Sequence, residues 1–252
     1  MRILIANDDG IEAAGLRALV RVFSEAGHEI TVVAPDGERS AASHSVTLRR
    51  PVPVRRSEVA RARRAFAVSG TPADCVKLAL RCLAPDTEFV LSGVNHGYNM
   101  GTDVLYSGTV GAAMEGALGG VPSMAVSLGR ESADFEGAAR VALRVFRMLA
   151  SSPLPPLHIA NLNVPETGEV LGLRAVPLCR IWYDDRYDRA SDADGTEYYT
   201  LGGWLSESIP DGKDDYHLLL RGYATLSILS YDLEDHGETE RWEASCRSLH
   251  FA

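Results

Sequence analysis

The sequence contains no long apolar run. Its 252 residues include no stretch of about 20 consecutive apolar residues, the length that an α-helix needs to cross a bilayer. The first residues enter a strand pattern directly, so we expect neither a secretory signal nor a membrane partner. The four cysteines are scattered and form no CxxC pair, which favours reduced thiols and a cytoplasmic location. They are Cys75, Cys82, Cys179 and Cys246.

The motifs of several common enzyme classes are also missing. Neither GxGxxG nor GxxxxGK[ST] occurs, so dinucleotide-binding and P-loop functions have no support. The absence of GxSxG, HExxH and CxxC leaves serine-triad hydrolysis, zincin chemistry and thiol redox chemistry equally unsupported.

Positive charge is scarce, with 25 Lys and Arg against 34 Asp and Glu and a formal net charge of −9. This balance argues against a stable nucleic-acid partner, because such binding depends on neutralising many phosphates. One local exception is the segment from Arg49 to Arg64, which holds seven arginines and one acid, Glu58. Its simplest interpretation is a solvated loop and sheet edge, and the alternative is a surface that attracts a polyanionic substrate.

What the sequence does contain is an alternation of short apolar runs with amphipathic segments. The runs predict buried strands and the amphipathic segments predict helices, which together favour an α/β protein with a doubly wound, mostly parallel sheet. After about Pro165 the rhythm fades into an aromatic and acidic stretch, 180–204, which predicts a protruding β-hairpin or arm, and then a late strand over 222–233. The predicted strands cover 2–7, 29–35, 65–70, 88–95, 122–128 and 157–165, and the predicted helices cover 10–27, 71–84, 108–120 and 135–150.

Two adjacent carboxylates, Asp8 and Asp9, end the first apolar run. Ligands of an open parallel sheet bind beyond the carboxyl ends of its strands, and paired acids there repel each other unless a hard cation such as Mg²⁺ or Mn²⁺ binds both. Because side chains alternate along a strand, shared binding requires the chain to turn at Gly10. Ser40 and Asn95 follow neighbouring strands and are candidate oxygen ligands. The competing interpretation is that one Asp caps a helix and the other is solvated.

A second polar segment precedes the helix predicted at 108–120. Ser107 and Gly108 stand at its start, where free backbone N–H groups can hold an anion, and the Ser107 and Thr109 hydroxyls can add donors. An ordinary capped helix explains the same pattern. His44 and His96 fall in strand-end loops, where either can protonate a leaving group or serve as a structural histidine.

Several long motifs agree in order and spacing with one family. MRILIANDDGI, VVAPDGERSAAS, VSGTPADCV, LSGVNHGYNMGTDVLYSGTVGAAMEG and NLNVP resemble the survival-protein SurE family of metal-dependent phosphatases acting on nucleoside monophosphates. The resemblance implies a Rossmann-like core over about 1–165 of a single domain, 1–252. It implies a hairpin and a C-terminal segment over about 166–252 that is exchanged between subunits of a dimer or tetramer. It also implies one divalent metal ion per subunit at Asp8, Asp9, Ser40 and Asn95, and phosphate contacts by Asn99, Ser107, Gly108 and Thr109.

The expected activity is hydrolysis of nucleoside monophosphates to nucleoside and phosphate, as in a 5′-nucleotidase, with Asp8 and Asp9 as the catalytic residues. In this scheme the metal is Mg²⁺ or Mn²⁺, one carboxylate activates water, and His44 and His96 contact the substrate. Activity on 3′-nucleotides and polyphosphate, the choice of metal and the carboxylate that handles the water stay open. A non-catalytic nucleotide sensor using the same pocket is the alternative. A phosphoryl-accepting receiver domain does not fit, because the third predicted strand ends in Ser69 and Gly70 rather than in an acceptor Asp.

Overall fold

A nine-stranded sheet forms the centre of the structure. The computed structural model describes residues 1–166, 169–180, 183–205 and 212–247. The strand order is β3-β4-β2-β1-β5-β6-β7-β11-β8, in which β3 and β11 run antiparallel to their neighbours β4 and β7 and all other pairs are parallel. The strands are β1 (Arg2–Ala6), β2 (Glu29–Pro35), β3 (Val54–Ser57), β4 (Arg64–Val68), β5 (Phe89–His96), β6 (Ser123–Leu128), β7 (His158–Val164), β8 (Leu173–Ala175) and β11 (Ala224–Ser230).

Helices cover both faces of this sheet, as the doubly wound prediction requires. The alternation of β1 divides its side chains, so that Ile3 and Ile5 pack with α1 and α4 while Leu4 and Ala6 pack with α2 and α3. No helix in the described part of the chain combines the length and the apolar character needed to cross a membrane. The helices are α1 (Ala14–Glu25), α2 (Pro72–Leu78), α3 (Gly108–Leu118), α4 (Phe135–Ser151), α5 (Asp215–Leu220) and α6 (His236–Cys246).

Local sequence signals explain where α2 begins, whereas the start of α1 differs from the prediction. Thr71 caps α2 by accepting a hydrogen bond from the Asp74 backbone, and Pro72 occupies the first helical position, both as predicted. The first helix begins at Ala14 rather than at Gly10. The four preceding residues form a turn instead, in which the Ile11 backbone N–H donates to the Pro35 carbonyl over 2.9 Å.

A separate two-stranded hairpin follows the core, formed by β9 (Tyr183–Ser191) and β10 (Glu197–Leu205). Its side chains are exposed along nearly the whole length of both strands, which agrees with the predicted protruding hairpin. The Tyr183 hydroxyl at its base donates to Asp103 over 2.7 Å and so joins the hairpin to the loop before α3. Within the predicted hairpin and C-terminal segment, 166–252, residues 167–168, 181–182, 206–211 and 248–252 lie outside the described residues.

Candidate functional site

The candidate site lies where the strand order reverses. Strands β4, β2 and β1 extend to one side, and β5, β6 and β7 extend to the other, so the carboxyl ends of β1 and β5 flank a crevice. A cleft of about 610 Å³ opens there. It is lined by Asp8, Asp9, Glu38, Ser40, Ala41, Asn95, His96, Gly97, Tyr98, Asn99, Asp103, Tyr106, Ser107 and Arg130.

The backbone after β1 turns both acidic side chains into this cleft. Asn7 is buried and its amide donates to the Gly10 carbonyl over 2.9 Å, which closes the turn. Gly10 has a φ of +100°, a conformation that L side chains rarely adopt, and a Cβ there would lie 3.1 Å from the Gly37 backbone. The turn at Gly10 that shared ligation requires is therefore present.

Asp8 is the more buried of the two carboxylates, with a relative exposure of 6%. Burial raises its pKa from 3.8 to about 6, with a smaller contribution from the Asp9 charge, against a lowering hydrogen bond from Thr109. That bond comes from the fully buried Thr109 hydroxyl to Oδ1 of Asp8. A Cβ on Gly108 would lie 2.9 Å from Cβ of Asp8, so the start of α3 approaches this carboxylate as closely as glycine allows.

Asp9 is more open to the cleft than Asp8. Desolvation raises its pKa, and the nearby Glu38 charge acts in the same direction. A backbone hydrogen bond from His96 and the charges of His96 and Arg130 oppose that rise. The adjacent acids therefore have different surroundings: Asp8 is anchored against α3, and Asp9 stands among the charged groups of the cleft.

The remaining predicted metal ligands supply neutral oxygens to the same cleft. The Ser40 hydroxyl donates to the Glu38 carboxylate and is exposed. The amide nitrogen of Asn95 donates to the Gly97 carbonyl over 2.9 Å, which leaves its Oδ1 as the atom suited to a cation. Two carboxylates, a hydroxyl and an amide oxygen form an oxygen-only set of the kind that Mg²⁺ and Mn²⁺ prefer.

Of the predicted phosphate contacts, Asn99 and Ser107 line the cleft, whereas Gly108 and Thr109 lie behind it against Asp8. Asn99 is buried, and its amide donates to the Ser127 hydroxyl over 2.7 Å. Ser107 caps α3 by accepting the Val110 backbone N–H over 3.0 Å. Contact between these residues and phosphate stays a prediction.

The two candidate histidines occupy different environments. His96 lines the cleft and donates from Nε2 to the Arg130 carbonyl over 2.9 Å. His44 is not among the lining residues, and its Nε2 lies 2.9 Å from Oε2 of Glu115, a buried residue of α3 that Lys77 also contacts. The geometry gives His96 direct access to a bound molecule and gives His44 a place in a neighbouring ion-pair network.

The sequence analysis assigned no role to five of the polar lining residues: Glu38, Tyr98, Asp103, Tyr106 and Arg130. Arg130 could have been found by the rule that identified Asp8 and Asn95, because it comes two residues after β6 ends. Tyr98 and Tyr106 lie within a motif dominated by glycine, serine and asparagine, and nothing in their spacing separates a cleft residue from a loop residue.

Two other groups of potential ligands occur in the described residues, Cys179 with Asp214 and Asp215, and Asp232 with Glu234 and His236. The first is explained by structure. Asp215 is fully buried and accepts backbone N–H groups of Gly101, Cys179 and Tyr216, while Asp214 caps α5. The second group is exposed on the surface.

Comparison with known proteins identifies the family of the chain. The family model described as survival protein SurE matches residues 3–185, which include every predicted site residue.

The chain belongs to the SurE family.

Its SurE relatives are similar over almost their full length. The protein named 5′-nucleotidase SurE from Synechococcus elongatus is 45% identical over 245 residues, covering 92% of this chain and 95% of the relative. The one from a Nostoc species is 42% identical, covering 92% and 94%. The crystal structure of the SurE protein from Aquifex aeolicus superposes with a TM-score of 0.84 at 31% identity, covering 97% of this chain and 99% of that one.

Proposed function

We propose that this protein is a divalent-metal-dependent phosphomonoesterase that hydrolyses nucleoside 5′-monophosphates to nucleoside and phosphate. The SurE relatives are named 5′-nucleotidases, which supports the reaction class. The observation that carries the proposal is the convergence of Asp8, Asp9, Ser40 and Asn95 on one cleft at the switch point of the sheet. Hydrolysis of a phosphate dianion in an acidic cleft needs a cation to neutralise the charge, and this set of ligands is suited to hold one.

The residues present fit a hard divalent cation. Asp8 is 6% exposed and adjacent to a second carboxylate, so its ionised form is costly unless a cation neutralises it. Asp8, Asp9, Ser40 and Asn95 would hold one ion per subunit, Mg²⁺ or Mn²⁺. When bound, such an ion polarises phosphoryl oxygens and lowers the pKa of a nearby water.

The unequal surroundings of the two acids suggest a division of roles. Asp8 accepts the Thr109 hydroxyl and is fixed against α3, so we assign it the anchoring role. Asp9 is more accessible, so we assign it the orientation of the attacking water and the removal of its proton. Asn99 and Ser107 hold the phosphoryl group from the cleft, Gly108 and Thr109 support Asp8 from behind it, and His96 donates a proton to the leaving oxygen.

Activity on 3′-nucleotides and polyphosphate is a further part of the proposal. The cleft is open and its wall near Tyr106 is exposed, which suits more than one placement of the sugar. The arginine segment lies apart from the cleft, on edge strand β3 and adjoining loops. Its later members, Arg61 and Arg63, pair with Glu25 and Glu29, which leaves the earlier arginines to attract a polyanion.

Self-association completes the proposal. An isolated two-stranded hairpin is marginal in water, and β9 and β10 expose large apolar side chains that a second copy would cover. We propose a single domain with a core over about 1–165 and a hairpin and C-terminal exchange segment over about 166–252, assembled as a dimer or tetramer. The exposed apolar residues of the hairpin are Tyr183, Tyr187, Tyr198, Tyr199, Leu201 and Trp204.

The four cysteines are free thiols, which suits a reducing cytoplasm.

A phosphate-release screen tests the proposed reaction. Purified protein is given 5′- and 3′-nucleotides and polyphosphate with Mg²⁺, with Mn²⁺ and with EDTA. We expect release from AMP or GMP that EDTA abolishes, and loss of that release in Asp8→Asn and Asp9→Asn. The matched control is Asp86→Asn, an acid near the amino end of β1, away from the cleft.

The outcomes separate the alternatives. Near wild-type turnover by both folded cleft variants would refute the assignment of the paired acids. Tight nucleotide binding without turnover in either metal would identify a sensor instead of an enzyme. Release that persists after complete removal of metal would refute the metal requirement.

A further inference from the structure

Arg130 is a cleft residue that the metal-ligand set does not explain. It follows β6, whose last residue, Leu128, pairs with His96 of β5. This register brings the segment after β6 beside the end of β5, and the Arg130 side chain lines the same cleft as Asp8 and Asp9. The end of β6 therefore contributes a cation to a cleft to which the ends of β1 and β5 contribute carboxylates and an amide.

The backbone and the side chain of Arg130 are positioned by the last residue of β5, His96, and by Gly97, which follows it. Its carbonyl accepts the hydrogen bond from Nε2 of His96 over 2.9 Å. Its side chain lies across Gly97, where an added Cβ would be 2.9 Å from Nε and 3.4 Å from Cγ of Arg130. A side chain at position 97 would push the guanidinium away, so the glycine keeps the arginine in the cleft.

The guanidinium makes no ion pair with any residue in the described ranges 1–166, 169–180, 183–205 and 212–247. Arg21 and Arg140, in contrast, both pair with Glu136. Arg130 nevertheless lines the same cleft as Asp9. A guanidinium binds a phosphate dianion through two parallel hydrogen bonds. Arg130 lies in the same cleft as the proposed water-activating acid and is therefore suited to bind such a dianion.

We infer that Arg130 binds the phosphoryl group of the substrate and thereby contributes to the specificity of this chain for phosphomonoesters. This inference rests on the phosphomonoesterase function proposed above. The cleft also contains the acids Glu38 and Asp103, which repel a dianion. Arg130 offsets that repulsion on the β6 side of Asp9, so it draws the phosphoryl group toward the water that Asp9 orients. The competing role is a countercharge to Asp9 that never contacts substrate.

Three full-length variants separate these roles: Arg130→Gln, Arg130→Lys and, as the matched control, Arg144→Gln on the exposed surface of α4. Each is assayed for phosphate release from AMP with Mg²⁺, and each is titrated calorimetrically with inorganic phosphate and with Mn²⁺. Thermal unfolding checks that each variant is folded.

For Arg130→Gln we expect the KM for AMP and the Kd for inorganic phosphate to rise together by about 10- to 100-fold, the scale of charge-assisted hydrogen bonds to one oxyanion. Arg130→Lys should lose less, because it keeps the charge without the fork, and Arg144→Gln should match wild type. The inference is overturned if Arg130→Gln keeps the wild-type KM and phosphate affinity while binding Mn²⁺ more tightly, as a mere countercharge predicts. Failure of the wild-type protein to release phosphate would overturn the proposed function instead, and the phosphate titration would still decide the role of Arg130.

Discussion

Replacing Asp8 by Asn should stabilise the metal-free protein while destroying its activity. Asp8 is 6% exposed, and burial, with a smaller effect of Asp9, raises its pKa from 3.8 to about 6. That rise corresponds to about 3 kcal/mol of unfavourable free energy in the ionised folded form. Asparagine has nearly the same shape, and its Oδ1 can still accept the Thr109 hydroxyl, so the substitution removes the charge with little loss of packing.

The pH dependence follows from the direction of the shift. Because the folded-state pKa of Asp8 is raised, the folded protein holds this proton more tightly than the unfolded chain does. The free energy of unfolding should therefore fall as pH rises from about 4 to about 6, and the full penalty should persist above that range. Asp8→Asn should show no advantage near pH 4 and an advantage of up to about 3 kcal/mol at pH 7.5, which is roughly 6–12 °C in Tm for a chain of this length.

The measurement is thermal unfolding of wild type, Asp8→Asn and Asp86→Asn in EDTA across this pH range, repeated with Mn²⁺. Asp86 pairs with Arg2 near the other end of β1 and is half exposed, so its substitution should change stability little. Mn²⁺ should raise the Tm of wild type and leave that of Asp8→Asn nearly unchanged, because a ligand stabilises the state that binds it. Two results would refute this account of the buried carboxylate. One is a metal-free Asp8→Asn protein that is less stable than wild type at pH 7.5. The other is a stability advantage of Asp8→Asn over wild type that is as large at pH 4 as at pH 7.5.

Two further substitutions on α3 test the supports of the site. Gly108→Ala should lower kcat/KM for AMP because its Cβ would lie 2.9 Å from Asp8 Cβ, whereas Gly37→Ala, whose Cβ meets nothing within 4 Å, should have wild-type kinetics. Glu115 should show the opposite pH dependence to Asp8: burial alone would raise its pKa, but hydrogen bonds from His44 and Lys77 lower it overall. Glu115→Gln should therefore lose about 1–3 kcal/mol of stability at pH 7 and less as pH falls, measured by urea unfolding.

Prediction from sequence succeeded for the elements whose hydrophobic period and end signals lie within their own residues. Continuous apolar runs separated by amphipathic helices identified the parallel strands, and the Thr71-Pro72 pair located the start of α2. The rule that ligands gather at strand ends selected Asp8, Asn95 and Ser40, and the structure brings all three to one cleft. These inferences required only the period of the elements and the direction of the strands.

Prediction was less complete where long-range packing decides the outcome. The short elements β3, β8 and α5 were not predicted as separate units, because each is stabilised by a neighbouring strand that its own residues do not specify. Helix α6 was not predicted either, and its described side chains are exposed. His44 and His96 were equivalent in sequence, yet a buried Glu115 on a distant helix holds one, while the other faces the cleft. Arg130 lies two residues beyond β6, where the strand-end rule could have selected it, but its position beside His96 follows from the pairing of β6 with β5.

The difference between Asp8 and Asp9 has the same origin. On a regular strand the two side chains would point to opposite faces of the sheet, and the turn closed by Asn7 and Gly10 brings them to one side without making them equivalent. Asp8 remains close enough to the sheet to meet the first turn of α3, so its charge is costly but rigidly placed. Asp9 lies farther along the turn, where solvent, His96 and Arg130 reach it. The proposed division of roles, a fixed ligand and an accessible base, therefore rests on the different surroundings that the turn after β1 gives to two identical residues.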